Sequence, residues 1–82
     1  MTKEQALLSI DASGIKPGQV WRHYKGGTYR IIATAIDEST LTPMVIYQST
    51  VTNLEMPWAR TLANFLSTVD VKAVERRFYP VF

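Results

Sequence analysis

The chain contains no cysteine and one histidine among its 82 residues. Without cysteine no disulfide can form, which indicates a reducing compartment, and a single histidine cannot make the Cys and His clusters that hold zinc. No apolar run reaches the ~20 residues of a membrane span, and residues 1–10 carry charges where a signal peptide has an apolar core. We therefore predict a cytoplasmic protein with no membrane association, no metal and no cofactor.

A chain of this length supports one domain with a small core, because folding buries only about 60% of the unfolded surface at this size. The net charge of +2 is too small by itself to indicate nucleic-acid binding, which typically shows as a dense basic patch. From Lys16 onward, eight Lys or Arg stand against five Asp or Glu, so the basic excess lies in this part of the chain. This distribution is compatible with an anionic partner. The sequence indicates no oligomeric state.

Residues 1–14 predict a short amphipathic helix followed by a linker. A capping-box pattern and apolar residues at near-helical spacing place the helix at residues 3–10. An isolated helix of this length is unstable in water, so it must pack against the rest of the chain. We expect Leu7, Leu8 and Ile10 to make that contact.

Residues 15–82 alternate short apolar segments with turn signals, which predicts a small antiparallel barrel of five to six strands. The strands are expected at residues 20–24, 29–36, 44–48, 54–60, 69–71 and 76–79, with one helical turn at residues 61–66. Gly26 and Gly27 form the turn of the first hairpin, and Pro57 indicates that its strand either lies at an edge or carries a bulge, because proline lacks a backbone donor. Strict alternation places Tyr29, Ile31, Ala33 and Ala35 on one face of the second strand.

The first hairpin gathers the only histidine with several basic and aromatic residues. Five rings are candidates to line a ligand groove, because aromatic side chains give rigid contact area: Trp21, Tyr24, Tyr29, Tyr47 and Trp58. We expect Trp21 and Trp58 to be the exposed members, since each lies next to an arginine. The predicted ligand-binding residues combine the hairpin with the later Trp-Ala-Arg segment and are Arg22, His23, Tyr24, Lys25, Trp58 and Arg60.

Several segments resemble a small bacterial family known as a domain of unknown function. The resemblance covers residues 19–78 and rests on Arg22-His23-Tyr24-Lys25-Gly26, Pro43-Met44-Val45-Ile46-Tyr47, Trp58-Ala59-Arg60 and Arg77-Phe78. The chain departs from the family at Asp37-Glu38-Ser39, where the family often has His-Ser-Glu, and at Thr61, where it has proline. The resemblance implies an SH3-like barrel and carries over no activity.

Three functional hypotheses follow from these residues. The first is a non-catalytic binding module whose partner is a protein, a peptide or a small anionic ligand. The alternative is an RNA- or ribosome-associated protein, which a steep loss of binding with salt would distinguish. The third is an enzyme in which His23 acts with Asp37 or Glu38, and it requires a deep pocket around the imidazole.

Overall fold

A computed structural model of the chain describes residues 2–51, 56–67 and 77–81. The described elements are α1 (Lys3–Ser13), β1 (Val20–His23), β2 (Thr28–Ile36), β3 (Pro43–Ser49), β4 (Trp58–Thr61), α2 (Leu62–Phe65) and β5 (Phe78–Val81). The strands form one antiparallel sheet in the order β4-β3-β2-β1-β5, curled into a half-barrel. The predicted fold class, a mainly β SH3-like barrel with a short N-terminal helix, is confirmed. The strand expected at residues 69–71 and the start of the one at 54–60 lie outside the described residues.

The two edge strands both involve proline. Pro57 directly precedes β4, and Pro80 lies within β5, at the other edge of the sheet. Proline cannot donate to a strand ladder, so within a sheet it is confined to edge strands, to bulges and to the first residue of a strand, as Pro43 is in β3. The edge position predicted from Pro57 is correct.

The helix α1 is longer than predicted, and of the three residues predicted to pack it against the core only Ile10 does so. Thr2 caps its start with both bonds of the capping box, and the chain leaves it through Gly14 at a φ of 72°, a left-handed conformation that suits glycine. Ala6 is fully buried, and Ile10, one helical turn later, packs against the core. The expectation that Leu7 and Leu8 pack there is wrong, since they are 49% and 67% exposed. Residues four apart share a helix face, whereas their immediate neighbours point elsewhere.

The main core lies on the concave side of the sheet and contains four aromatic rings. Its buried members are Ile15, Trp21, Ile31, Val45, Tyr47, Leu62, Phe65 and Phe78. Phe65 stacks on Phe78 with ring centroids 4.2 Å apart and meets the edge of Trp21 at 5.1 Å. These contacts join α2 to β1 and β5, the neighbouring strands at one side of the sheet.

Trp21 is only 5% exposed, so the prediction that it is a solvent-facing ligand residue is wrong. Successive strand residues point to opposite faces, so an exposed Arg22 places its neighbour Trp21 on the inner face. The indole Nε1 donates to Oε1 of Gln19 at 3.2 Å, which keeps the buried N–H bonded.

The second strand changes face partway along its length. The pairing of β2 with β3 shifts register between Ile31 and Ala33, with Ile31 opposite Tyr47 but Thr34 opposite Val45. This bulge adds one residue to β2 and moves Thr34 onto the face of Ile31. The predicted sharing of one face by Ile31, Ala33 and Ala35 is therefore wrong.

The helical turn predicted after β4 is confirmed. Thr61 caps α2, its hydroxyl accepting from the backbone N–H of Asn64 at 3.1 Å, and Leu62 and Phe65 are buried. The turn thus holds Phe65 in the core and leaves Asn64 on the solvent side. Among the described residues, neither helix has the length and apolarity needed to cross a membrane.

Candidate functional site

A cleft of about 250 Å³ opens on the concave side, at the end of the sheet that carries the β1–β2 turn. It is called the aromatic cleft below and is lined by His23, Tyr29, Tyr47, Trp58, Arg60 and Phe78. Strand pairing creates it, since His23 is the partner of Phe78 and Tyr47 is the partner of Trp58. All five strands of the sheet contribute at least one lining residue.

The walls of the aromatic cleft are packed rings. Tyr29 meets Tyr47 edge to face at 5.3 Å, and Phe78 contacts both tyrosines at 6.1 and 5.4 Å between ring centroids. Gly27 supports this wall, because a Cβ there would lie 3.2 Å from the ring of Tyr29. Trp58 is 52% exposed at the rim, which confirms the prediction that this tryptophan faces solvent.

Arg60 is the charged group of the aromatic cleft and is held on three sides. Its Nε donates to the hydroxyl of Tyr47 at 2.8 Å, and its Nη1 donates to Oδ1 of Asn64. The guanidinium carbon lies 5.5 Å from the ring centroid of Phe78, in cation–π range. A guanidinium has more N–H donors than these two bonds use. Arg60 therefore keeps donors that no described residue accepts.

His23 lies beside Arg60, at the last position of β1. The backbone N–H of Lys25 donates to its Nδ1 at 3.2 Å, so the neutral ring carries its proton on Nε2. Partial burial lowers the pKa of His23 below its ordinary value of 6.5, and the positive charges of Arg60, Lys25 and Arg77 lower it further. The neutral form with an Nε2 donor is thus favoured at neutral pH.

The described carboxylates lie away from the aromatic cleft. Every described Asp or Glu lies on α1 or in the connection between β2 and β3, whereas Arg60 lines the cleft and the charges of Lys25 and Arg77 also act on His23. Asp37 follows β2, whose nine residues span about 26 Å, so it lies at the far end of the strand from His23. The proposed pairing of His23 with Asp37 or Glu38 is therefore wrong. No group of three or more His, Cys, Asp or Glu in the described part of the chain could hold a metal ion.

Asp37 has a local structural role in its own loop. Its Oδ1 accepts from the backbone N–H and hydroxyl of Ser39 and from the backbone N–H of Thr40. These bonds, led by the one from the Ser39 hydroxyl, lower the pKa of Asp37. The carboxylate thus caps the turn.

The structure places five of the six predicted ligand-binding residues in two clefts. His23, Trp58 and Arg60 line the aromatic cleft, while Arg22, His23 and Tyr24 line a second cleft of about 320 Å³ together with Tyr79. Lys25 lines neither, and its ammonium lies 5.7 Å from the ring centroid of Tyr24.

Phe78 and Asn64 were not among the predicted site residues. Phe78 reaches the aromatic cleft only because β5 pairs with β1, a contact between distant parts of the chain. Asn64 belongs to it through the bond to Arg60. The pattern Thr61-Leu62-Ala63-Asn64 marks the helix start, but no local signal connects Asn64 to the arginine.

The fold and the aromatic cleft together define a small SH3-like half-barrel with a ring-lined, cationic depression at one end of its sheet. The chain belongs to the family described as "Protein of unknown function (DUF1653)", whose model matches residues 19–80. The resemblance drawn from the sequence is thereby confirmed.

A solved structure of the same family is similar over most of its length. It is the crystal structure of a DUF1653 protein from Bordetella bronchiseptica, 31% identical, with a TM-score of 0.68. The match covers 84% of this chain and 90% of that chain. No curated protein matches the sequence.

Proposed function

We propose that the protein is a non-catalytic binding module whose aromatic cleft holds the anionic group of a protein, a peptide or a small molecule. One observation carries the proposal: Arg60 stands among aromatic rings with N–H donors that no described residue accepts. The six side chains that line the cleft include no carboxylate that would neutralise it. A guanidinium held in this way is suited to an oxyanion, because its donors are already oriented.

The same arrangement argues against a cationic ligand. Rings alone would suit a methylated ammonium group, which binds over aromatic faces. Here Arg60 already lies over the ring of Phe78, and the positive charges near His23 would repel a second cation. The charge around the cleft therefore favours an anion.

No reacting pair faces the cleft among the described residues, which supports a binding role. General acid–base catalysis needs a proton carrier with a matched pKa, usually positioned by a second polar group. His23 has its Nδ1 occupied by a backbone N–H, and the described carboxylates lie elsewhere in the fold. The described polar groups of the cleft are therefore suited to binding a ligand rather than to transferring a proton.

The test uses the two tryptophans as separate reporters. In ¹H–¹⁵N spectra, titration with benzoate should move the indole signal of exposed Trp58 and leave that of buried Trp21 nearly unchanged. Benzyltrimethylammonium should move neither. Arg60→Gln should abolish the benzoate shift, whereas Arg30→Gln, which removes the same charge from an exposed position on β2, should preserve it. Shifts confined to the opposite end of the sheet, or equal in both variants, would refute the assignment.

RNA binding is the second candidate, favoured by the cations gathered at this end of the molecule. Arg22 and Lys25 are exposed beside the hairpin turn, and Trp58 presents an exposed ring on β4. Single-stranded RNA is bound by such combinations of cations and stacking rings. A logarithmic plot of oligouridylate affinity against salt should then fall with a slope of roughly −0.7 for each phosphate contacted. A flat plot would exclude this candidate.

A further inference from the structure

The polar groups of the aromatic cleft are mostly hydrogen-bond donors. Besides the remaining N–H groups of Arg60, the lining residues carry the Nε1–H of Trp58 and the hydroxyls of Tyr29 and Tyr47. The Tyr47 oxygen already accepts from Arg60, so its own proton is left to donate. The lining side chains include no carboxylate or amide oxygen. A ligand that matches this surface must be rich in acceptors.

His23 adds a donor whose identity is set by the hairpin. Because the N–H of Lys25 points at Nδ1, the neutral ring has its proton on Nε2, the atom free to bond a ligand. The ring is fixed by neighbours on both sides, with Tyr24 at 4.6 Å and Phe78 at 4.8 Å between centroids. The donor therefore has a defined position before any ligand arrives.

We propose that the anion bound in the aromatic cleft is a phosphate monoester carried by a single aromatic ring, with its oxygens at Arg60 and His23 and its ring against Trp58. The inference rests on the binding function proposed above and names its ligand. A phosphate monoester has more terminal oxygens and a larger negative charge than a carboxylate, so it satisfies more of the donors.

The size of the cleft limits the rest of the ligand. Sites for whole drug-sized molecules measure about 300–1,000 Å³, whereas the aromatic cleft measures about 250 Å³. It has room for one charged group and one flat ring, and larger bodies must extend into solvent past the rim. A phosphotyrosyl side chain of a peptide offers this chemistry, because its phosphate is esterified to a single aromatic ring.

The experiment compares phenyl phosphate, benzoate and inorganic phosphate by the Trp58 indole shift at constant ionic strength. Phenyl phosphate should bind about tenfold more tightly than benzoate, the difference expected for one further charge-assisted bond. It should also bind more tightly than inorganic phosphate, which has no ring to contact Trp58. A short phosphotyrosyl peptide should also bind more tightly than adenosine monophosphate, whose phosphate is separated from its ring by ribose, and the reverse order would overturn the assignment of an aryl phosphate.

Variants of His23 test the second contact. His23→Phe keeps a ring in the wall and removes the donor, so the preference for phenyl phosphate over benzoate should disappear. His23→Gln keeps an N–H at the end of its side chain and should retain part of the preference. Both should give folded spectra, because this histidine is half-buried at a strand end.

The possible outcomes distinguish the assignment of a phosphate ligand from the anion-binding function on which it rests. If benzoate and phenyl phosphate bind equally and both depend on Arg60, the anion-binding function stands and the phosphate assignment is wrong. Equal affinities for inorganic phosphate and phenyl phosphate would show that the ligand's aromatic ring does not contribute to binding. If neither compound shows binding that depends on Arg60, both proposals fail.

Discussion

The bond between Tyr47 and Arg60 can be removed by deleting one oxygen atom. Tyr47→Phe keeps the ring, which is buried against Phe65 and Phe78, and removes the hydroxyl that accepts from the arginine Nε at 2.8 Å. The substitution therefore leaves the aromatic packing in place. Its effect reports on how firmly the guanidinium is held.

The expected loss of stability is about 1 kcal/mol. A hydrogen bond to a charged group contributes about 1.5–3 kcal/mol, and partial exposure of Arg60 places this one below that range. For a domain of this size, about 1 kcal/mol lowers the melting temperature by roughly 4–8 °C. Benzoate should also bind a few-fold more weakly, since Arg60 keeps Asn64 as its only described side-chain acceptor.

A double-mutant cycle isolates the bond. Tyr47→Phe, Arg60→Met and the double variant are unfolded in urea and followed by circular dichroism. We expect a coupling energy of about 1 kcal/mol, because each single change removes the same interaction. The control cycle pairs Tyr47→Phe with Arg30→Met, since exposed Arg30 points to the other face of the sheet.

Additive effects of Tyr47→Phe and Arg60→Met on the free energy of unfolding would contradict a stabilising bond between the two side chains. If the two changes add within about 0.3–0.5 kcal/mol, as independent sites do, Tyr47 does not hold the arginine. A coupling of equal size in the Arg30 cycle would also refute it, because that result would reflect general loosening of the sheet. Unchanged benzoate affinity in Tyr47→Phe would show that this bond stabilises the fold without contributing to anion binding. It would therefore contradict the proposal that an oriented Arg60 guanidinium binds the anion.

Further substitutions test the anchor, the histidine and the helix. Asn64→Asp, which places a carboxylate on Arg60, should weaken benzoate binding by at least about tenfold in NMR titration, while Asn64→Ala costs only a few-fold; equal losses would contradict the charge argument. Since the pKa of His23 is lowered in the folded state, the unfolded chain holds more protons just below pH 6.5, so the free energy of unfolding should fall as pH drops through this range. In urea titrations at several pH values, the free energy of unfolding of His23→Gln should depend less on pH than that of the natural chain. An unchanged pH dependence would show that His23 is not its cause. Ala6→Leu should lower the free energy of unfolding by about 1–3 kcal/mol through overpacking, whereas Leu8→Lys should change it by no more than about 0.5 kcal/mol. A lower melting temperature for Leu8→Lys than for Ala6→Leu would contradict the packing of α1 through Ala6.

Local signals were sufficient for the elements whose causes are local. The capping box at Thr2, the hairpin turn at Gly26 and the helical cap at Thr61 each depend on residues within a few positions, and each is present. Gly26 has a φ of 112°, a conformation that favours glycine. Pro57 likewise restricts its position to an edge, a bulge or the start of a strand by its own chemistry. These features are dictated before any tertiary contact forms.

The directions of side chains were less predictable, because they depend on packing partners. Trp21 and Trp58 both adjoin an arginine, yet one is 5% exposed and the other 52%. Alternation along β1 turns the first inward, where Phe65 meets its ring. The bulge after Ile31 has no glycine or proline to mark it. Its cause is the pairing with β3, which a single segment does not contain.

The aromatic cleft depends on the same long-range pairing, and this explains which of its residues sequence reasoning could find. Composition identified His23, Trp58 and Arg60 because basic and aromatic residues stand out in short segments. It could not order Tyr47 and Asn64 around the guanidinium, since one comes from β3 and the other from α2. An arginine of the same sequence context becomes an anion site only when such neighbours fix it and leave donors unused. The chemistry of the cleft therefore resides less in the Trp-Ala-Arg segment itself than in the strand register that brings Tyr47 to its side.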